Sequence, residues 1–305
     1  MTNISIKNKY VFLGDDESIN IEIISKSFYE LKNKVNYVLI GNKKSLQLQL
    51  KKISSNLEIN EILDPLNFTA LDINKLNIFD IFDINLSKGK NLIQQIKLSN
   101  KLCNLTGYDL ITMPIQKSII KDEIKFNGLT EYLGLLNDKK VLMLMVGEKF
   151  SIIPITTHIP LKKVVLNLDK KLTDFFKSFS IINKKFNFLK KFKNYVFLCI
   201  NPHCSEFNTL GNEDLIFKKF IKQFIFKNKF LLASDSAFKS INKKSLFISL
   251  YHDQALIPFK LINKFSYNQT IGLNYLRKSP AHGVAKDIIF KNKSDISSYV
   301  KCMLS

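Results

Sequence analysis

Three of the chain's four histidines stand directly behind apolar runs of strand length: His158 after FSIIPITT, His203 after YVFLCINP and His252 after SLFISLY. Neutral imidazole is the commonest protein ligand for zinc and similar divalent ions, and a catalytic site uses three protein ligands with one position left open. Three imidazoles on three strand ends can supply that set, whereas any one alone reads as a surface or hydrogen-bonded residue. A metal so held would act at oxygen, polarising a hydroxyl or carbonyl. The following segments suit an anionic substrate, with Lys260 eight positions past His252, then Asn268 and Arg277 in YNQTIGLNYLRKS. Arg clamps phosphate or carboxylate in a planar fork, and Lys offers a point charge. Arg is scarce here, so Arg277 stands out, while Lys260 is one lysine among many. The fourth histidine, His282, lies in the turn-rich RKSPAHGVAKD.

Strand ends need strands. Apolar runs recur at 9–14, 36–41, 108–114, 141–146, 150–158, 195–203, 229–235 and 245–253, and between them lie helix-period stretches such as INIEIISKSFYELKN and EDLIFKKFIKQFIF. Strands alternating with helices predict an α/β protein with a largely parallel sheet, in which ligands collect beyond the carboxyl ends of the strands. No GxGxxG follows the first strand; GDDESINIE at 14–22 has a single glycine, so the ordinary dinucleotide fingerprint is absent.

Composition narrows the function classes. The 305 residues, 46% of them hydrophobic, suffice for one large domain or two ordinary ones. A net charge of +20 raises a nucleic-acid reading, but the lysines are dispersed among Asn, Ile and Phe without a basic stripe, so neither nucleic acid nor a membrane is the expected partner. No apolar window spans a membrane and the start, MTNISIKNKYVFLG, lacks a signal-peptide pattern, so a cytoplasmic protein is expected. Cys103, Cys199, Cys204 and Cys302 show no CxxC pairing, so reduced, packed thiols are expected.

The motifs THIPL (157–161), NPHCSE (201–206), YHDQALIPFK (251–260) and IGLNYLRKSPAHGVAKD (271–287) together resemble the signature segments of the 4-hydroxythreonine-4-phosphate dehydrogenase family of vitamin B6 synthesis. VFLGDDESINIE, ITMPIQK (111–117), GLTEYLG (128–134) and SDSAF (234–238) extend the likeness in order along the chain. The resemblance implies a homodimer of two-domain α/β chains with a central mixed or parallel sheet, like isocitrate and isopropylmalate dehydrogenases, and an active site in the interdomain cleft. It implies a first domain of residues 1–125 plus 262–305 on the cofactor side and a second of 126–261 on the metal and dimer side. Carried over residue by residue, His158, His203 and His252 would hold one divalent ion, zinc, cobalt or magnesium, shared between subunits. Asp253 and Gln254 would support His252. Thr130, Lys260, Asn268 and Arg277 would hold substrate, with Asp235 and Lys260 at the chemistry.

The implied reaction is NAD- or NADP-dependent oxidation and decarboxylation of 4-phosphooxy-threonine to 3-amino-2-oxopropyl phosphate, a step toward pyridoxal phosphate. Two departures bear on it. The family's GDPAGIGPE appears as GDDESINIE, and in its AGHTEYL pattern the histidine is replaced by Leu129. The alternatives are therefore a dehydrogenase of a related phosphorylated hydroxy acid, such as 4-phospho-threonate, or a non-catalytic relative that serves as a binding or scaffold protein.

Overall fold

In the computed structural model, residues 7–224 and 228–305 are described. Contacts between Cα atoms divide the chain into two compact units. The first runs to Lys139 and takes in Tyr267–Gln269 and Leu273–Ser305; the second comprises Lys140–Ser266 and Thr270–Gly272. The crossings thus lie beyond the positions near 125 and 262 expected from sequence. One cause is a pair of amide contacts that keep the helix before Lys139 with the first unit: Asn137 donates to Asn100 Oδ1 (2.7 Å) and accepts from Asn104 (2.7 Å).

The first unit is a wound α/β layer of β1 (Lys7–Phe12), α1 (Asn20–Leu31), β2 (Val35–Gly41), α2 (Lys43–Lys52), β3 (Ile59–Glu61), β4 (Leu76–Asp80), α3 (Lys88–Thr106), β5 (Asp109–Thr112), α4 (Lys117–Lys121) and α5 (Leu129–Leu136). These strands pair in parallel in the order β3-β4-β2-β1-β5. Tyr10–Phe12 and Val38–Ile40 are buried on both faces, as central parallel strands covered by helices require. Ser87 caps α3 by accepting from Lys90 N, and Gly107 ends it in the left-handed conformation.

The second unit contains β6 (Leu142–Gly147), β7 (Ser151–Pro154), α6 (Leu168–Phe186), β8 (Asn194–Leu198), α7 (Glu213–Lys222), β9 (Lys229–Leu232), β10 (Ser245–Ser249) and α8 (His252–Ile262). The strand order is β6-β7-β10-β8-β9, parallel except for the β6–β7 pair. Alternation along β10 sends Leu246 and Ile248 into a core with Phe175, Phe179 and Phe217 of α6 and α7, and Phe247 into a second core with Ala255 and Phe259 of α8. Of the helical pattern read at 213–226, α7 covers 213–222, and residues 225–227 lie outside the described residues. The chain closes with β11 (Ser266–Ile271), whose residues are divided between the units, β12 (Arg277–Pro280) and α9 (Ser297–Leu304). β12 pairs in parallel with β5, Arg277 opposite Leu110. No helix among the described residues is long and apolar enough to cross a membrane.

The thiols depart from expectation. Cys103 and Cys302 are free and buried, but Cys199 and Cys204 form a disulfide. β8 delivers Cys199 to its carboxyl end, and a run of positive φ from His203 to Asn208 curls the chain back, leaving the two Cα atoms 5.2 Å apart. Spacing alone does not disclose such a return.

A buried cation pair in the first unit gives a testable consequence. Lys9 and Lys278 meet Asp109 Oδ2 at 2.7 and 3.5 Å, and Lys278 also donates to Ser305 O. Burial, assisted by the Lys9 charge, pushes the Lys278 amine down to about 8. A lysine whose folded value lies below its unfolded value costs stability while charged, and that cost fades as pH rises from about 8 toward 10.5. Lys278→Met is therefore expected to stabilise the fold by about 1–3 kcal/mol at pH 7, with the advantage shrinking toward pH 10. Urea unfolding of both proteins at pH 7, 8.5 and 10 checks it; an advantage independent of pH contradicts it.

Candidate active site

In the second unit the carboxyl ends of β7, β8 and β10 carry the three histidines. His158 follows β7 by four residues and has φ +33°, an uncommon conformation for a residue with a Cβ. His252 opens α8, and its ring lies 5.6 Å from that of His158, centroid to centroid. Asp253 Oδ1 sits 2.7 Å from His252 Nδ1, a bond that orients the imidazole. His203 lies exposed in the left-handed run, its Nε2 3.9 Å from Glu206 Oε1. One chain thus brings His158 and His252 together but does not add His203 to make a three-ligand group; among the described residues no set of three His, Cys, Asp or Glu side chains could hold a metal ion.

The His203 loop is gripped by Asp214 in the first turn of α7. This buried carboxylate accepts from Ile200 N (2.7 Å), Asn201 N (3.1 Å) and Ser205 Oγ (2.7 Å). Sequence reasoning missed Asp214, and its only signal was an acidic residue in the first turn of a helix. Asp235 is exposed on the loop after β9. Lys260 is exposed in the last turn of α8, about 12 Å along the axis from His252 at 1.5 Å per residue.

The first unit builds a different feature. Arg277, 2% exposed, donates through Nε to Thr112 Oγ1 at 2.9 Å and through Nη1 to Thr130 Oγ1 at 3.2 Å. Thr112 ends β5 and Thr130 lies in the first turn of α5, so strand pairing and helix placement converge on one guanidinium. Desolvation pushes Arg277 down to about 10, which leaves it cationic at neutral pH. Arg277 and Thr130 were expected together; Thr112 was overlooked, although it closes the strand read at 108–114. Asn268 presents a shielded Oδ1 with no hydrogen-bond partner among the described residues, an acceptor in want of a donor. Leu129, beside Thr130, is half-buried.

The 14–22 segment is held by a tight glycine turn, an asparagine and a cluster of ion pairs. Gly14 has φ +73°, and a Cβ there would stand 2.4 Å from Pro114 O. Asn20 Nδ2 spans to Leu13 O and Pro114 O, both at 2.9 Å. Lys88 pairs with Asp15, Asp16 and Glu17 at 2.9, 2.6 and 3.2 Å, and Glu17 reaches Lys286 at 3.0 Å. Bonds to Lys286 and Lys88 hold the Glu17 carboxyl below its usual value. Beyond the carboxyl ends of β1 and β2 this loop borders a cavity of about 260 Å³, lined by Asp15, Ile21, Ser45, Phe82 and Lys88 among others.

Residues 33–304 match the family described as pyridoxal phosphate biosynthetic protein PdxA. The chain is 31% identical over 311 residues to 4-hydroxythreonine-4-phosphate dehydrogenase of Sulfurihydrogenibium sp. (strain YO3AOP1), covering 96% of this chain and 95% of that one. It is 33% identical to the protein of the same name from Aquifex aeolicus (strain VF5), covering 94% and 93%. The crystal structure of 4-hydroxythreonine-4-phosphate dehydrogenase from Klebsiella pneumoniae superimposes with a TM-score of 0.78 at 24% identity over 97% of each chain, a likeness of fold.

Proposed function

The chain belongs to the pyridoxal phosphate biosynthetic protein PdxA family, and from that premise we propose that it is a metal-assisted, NAD(P)-dependent dehydrogenase of 4-phosphooxy-threonine. The observation that carries the reading is the buried guanidinium of Arg277, held by Thr112 and Thr130 near the carboxyl end of β5. A cation desolvated to this degree favours an anionic group, and its fork suits phosphate or carboxylate. Thr130 shares the placement, and Asn268 Oδ1 accepts from a donor such as the substrate's amino group.

His158, His203 and His252 are the imidazoles that would hold the divalent ion, in a homodimer that shares the site between subunits. The paired rings of His158 and His252, with Asp253 fixing the latter, fit such a centre in donor chemistry. When bound, the metal supplies Lewis acidity at the substrate hydroxyl and the dinucleotide accepts hydride from the carbon bearing it. Oxidation there yields a β-keto acid, which loses carbon dioxide to give 3-amino-2-oxopropyl phosphate. Asp235 and Lys260 are the groups available to take up and return the protons that these steps move.

Purified protein supplied with zinc, cobalt or magnesium is expected to reduce NAD on 4-phosphooxy-threonine, to lose that activity to a chelator, and to regain it with fresh metal. No NAD or NADP reduction under any of the three metals would refute the reading. Running 4-phospho-threonate in the same assay tests the second reading that Leu129 favours, because an apolar side chain beside Thr130 replaces a hydrogen-bonding one.

A further inference from the structure

We infer that Gln254 is a positioning residue that ties the loops carrying His203 and Asp235 to the start of the helix carrying His252. The inference rests on the metal-assisted reading above and extends it to how the site is held. Gln254 lies in the first turn of α8, and its amide is used at both ends. Oε1 accepts from Leu250 N at 2.8 Å, two residues before His252. Nε2 donates to Cys199 O and to Ser234 Oγ, each at 2.8 Å, and Ser234 Oγ donates to Cys199 O, also at 2.8 Å.

Cys199 and Leu250 are fully buried, and each of these backbone groups stands at the root of a functional loop. Cys199 begins the turn that reaches His203, Ser234 immediately precedes Asp235, and Leu250 leads into His252. Asp214 holds the His203 loop through a separate set of bonds. Gln254 joins that loop to the start of α8, and adds a shared donor to the direct bond between Ser234 Oγ and Cys199 O. The role needs a donor and an acceptor on one planar group, which only an amide side chain offers at this length: ionised glutamate lacks the donors, and methionine lacks a donor and has only a weakly accepting sulfur. The network is half-buried, with Gln254 and Ser234 partly exposed and Cys199 and Leu250 fully buried. A network whose members are all satisfied is stiff when complete and loosened when one is removed.

Two variants, Gln254→Met and the milder Ser234→Ala, test it on the full-length protein. The first readout is amide hydrogen exchange in metal-free protein. Gln254→Met should accelerate exchange in 199–208 and 233–238 together while the strands of the second unit stay protected; Ser234→Ala should do so more weakly. The second is titration with cobalt(II), in which Gln254→Met should weaken binding roughly ten- to hundredfold and alter the visible absorption of the bound ion. Unchanged exchange in both loops overturns the inference, as does an unchanged cobalt spectrum and affinity. If the unaltered protein takes up no cobalt, the metal reading fails by itself, and the exchange data still decide the role of Gln254.

Discussion

Exchange of Arg277 for lysine is expected to lower kcat/KM on 4-phosphooxy-threonine about 10²–10³-fold, a loss of about 3–4 kcal/mol in transition-state binding. Lysine keeps the formal charge, so the expected loss comes from geometry. Arg277 fills its site with a plane: Nε and one terminal nitrogen engage Thr112, another engages Thr130, and the fork as a whole is oriented before substrate arrives. A lysine ammonium has three donors on a flexible stem and cannot reach both threonines while also meeting an anion in bidentate fashion. The burial that drives Arg277 only to about 10 would also act on a far more easily neutralised amine; at the next residue, burial and the Lys9 charge already bring Lys278 to about 8. The variant should therefore lose further activity as pH rises from 7 to 9, over a range where the unaltered protein stays charged at this position. Steady-state kinetics across that range read both effects. A variant within threefold of the parent, with the same pH profile, would remove Arg277 from the substrate site.

How much of this was legible in the sequence varies with the length scale of the forces involved. Each of the eight apolar runs overlaps a strand, since strands of a helix-covered parallel sheet carry an apolar signature confined to a few adjacent residues. β3, β4, β11 and β12 escaped that reading. SYNQTI and RKSP look like loop, and in RKSP the polar groups find partners distant in sequence: Arg277 bonds Thr112, and Lys278 pairs with Asp109. The three histidines were found from their positions at strand ends, and the pairing of His158 with His252 follows from β7 and β10 being neighbours. The Cys199–Cys204 bond and the six consecutive left-handed residues after Pro202 were not legible. Asp214 holds this loop by accepting from three of its groups, contacts that span 9 to 14 positions and that no local propensity encodes. Gln254 was read only as support for its neighbour His252; its bonds to Cys199 and Ser234 bridge 55 and 20 positions, a distance over which a single sequence carries no signal.

Removal of the His252 imidazole by His252→Ala should reduce divalent-ion affinity by more than the roughly ten- to hundredfold that loss of a supporting hydrogen-bond partner costs, and NAD reduction should fall with it. Asp253→Ala supplies the comparison, since Asp253 bonds Nδ1 of the same ring at 2.7 Å and would orient it without touching the ion. The two variants should thus form a graded pair, Asp253→Ala losing affinity within that interval and His252→Ala beyond it. Neither should disturb the fold. The His252 side chain is 37% exposed and Asp253 70% exposed, and neither belongs to the packed faces of α8, which are formed by Ala255 and Phe259. Calorimetric titration with zinc or cobalt, alongside thermal unfolding of the metal-free proteins, separates lost ligation from lost structure. Equal affinities in His252→Ala and the parent, at equal stability, would exclude this imidazole from the metal centre. The pair of rings at the ends of β7 and β10 would then need another purpose.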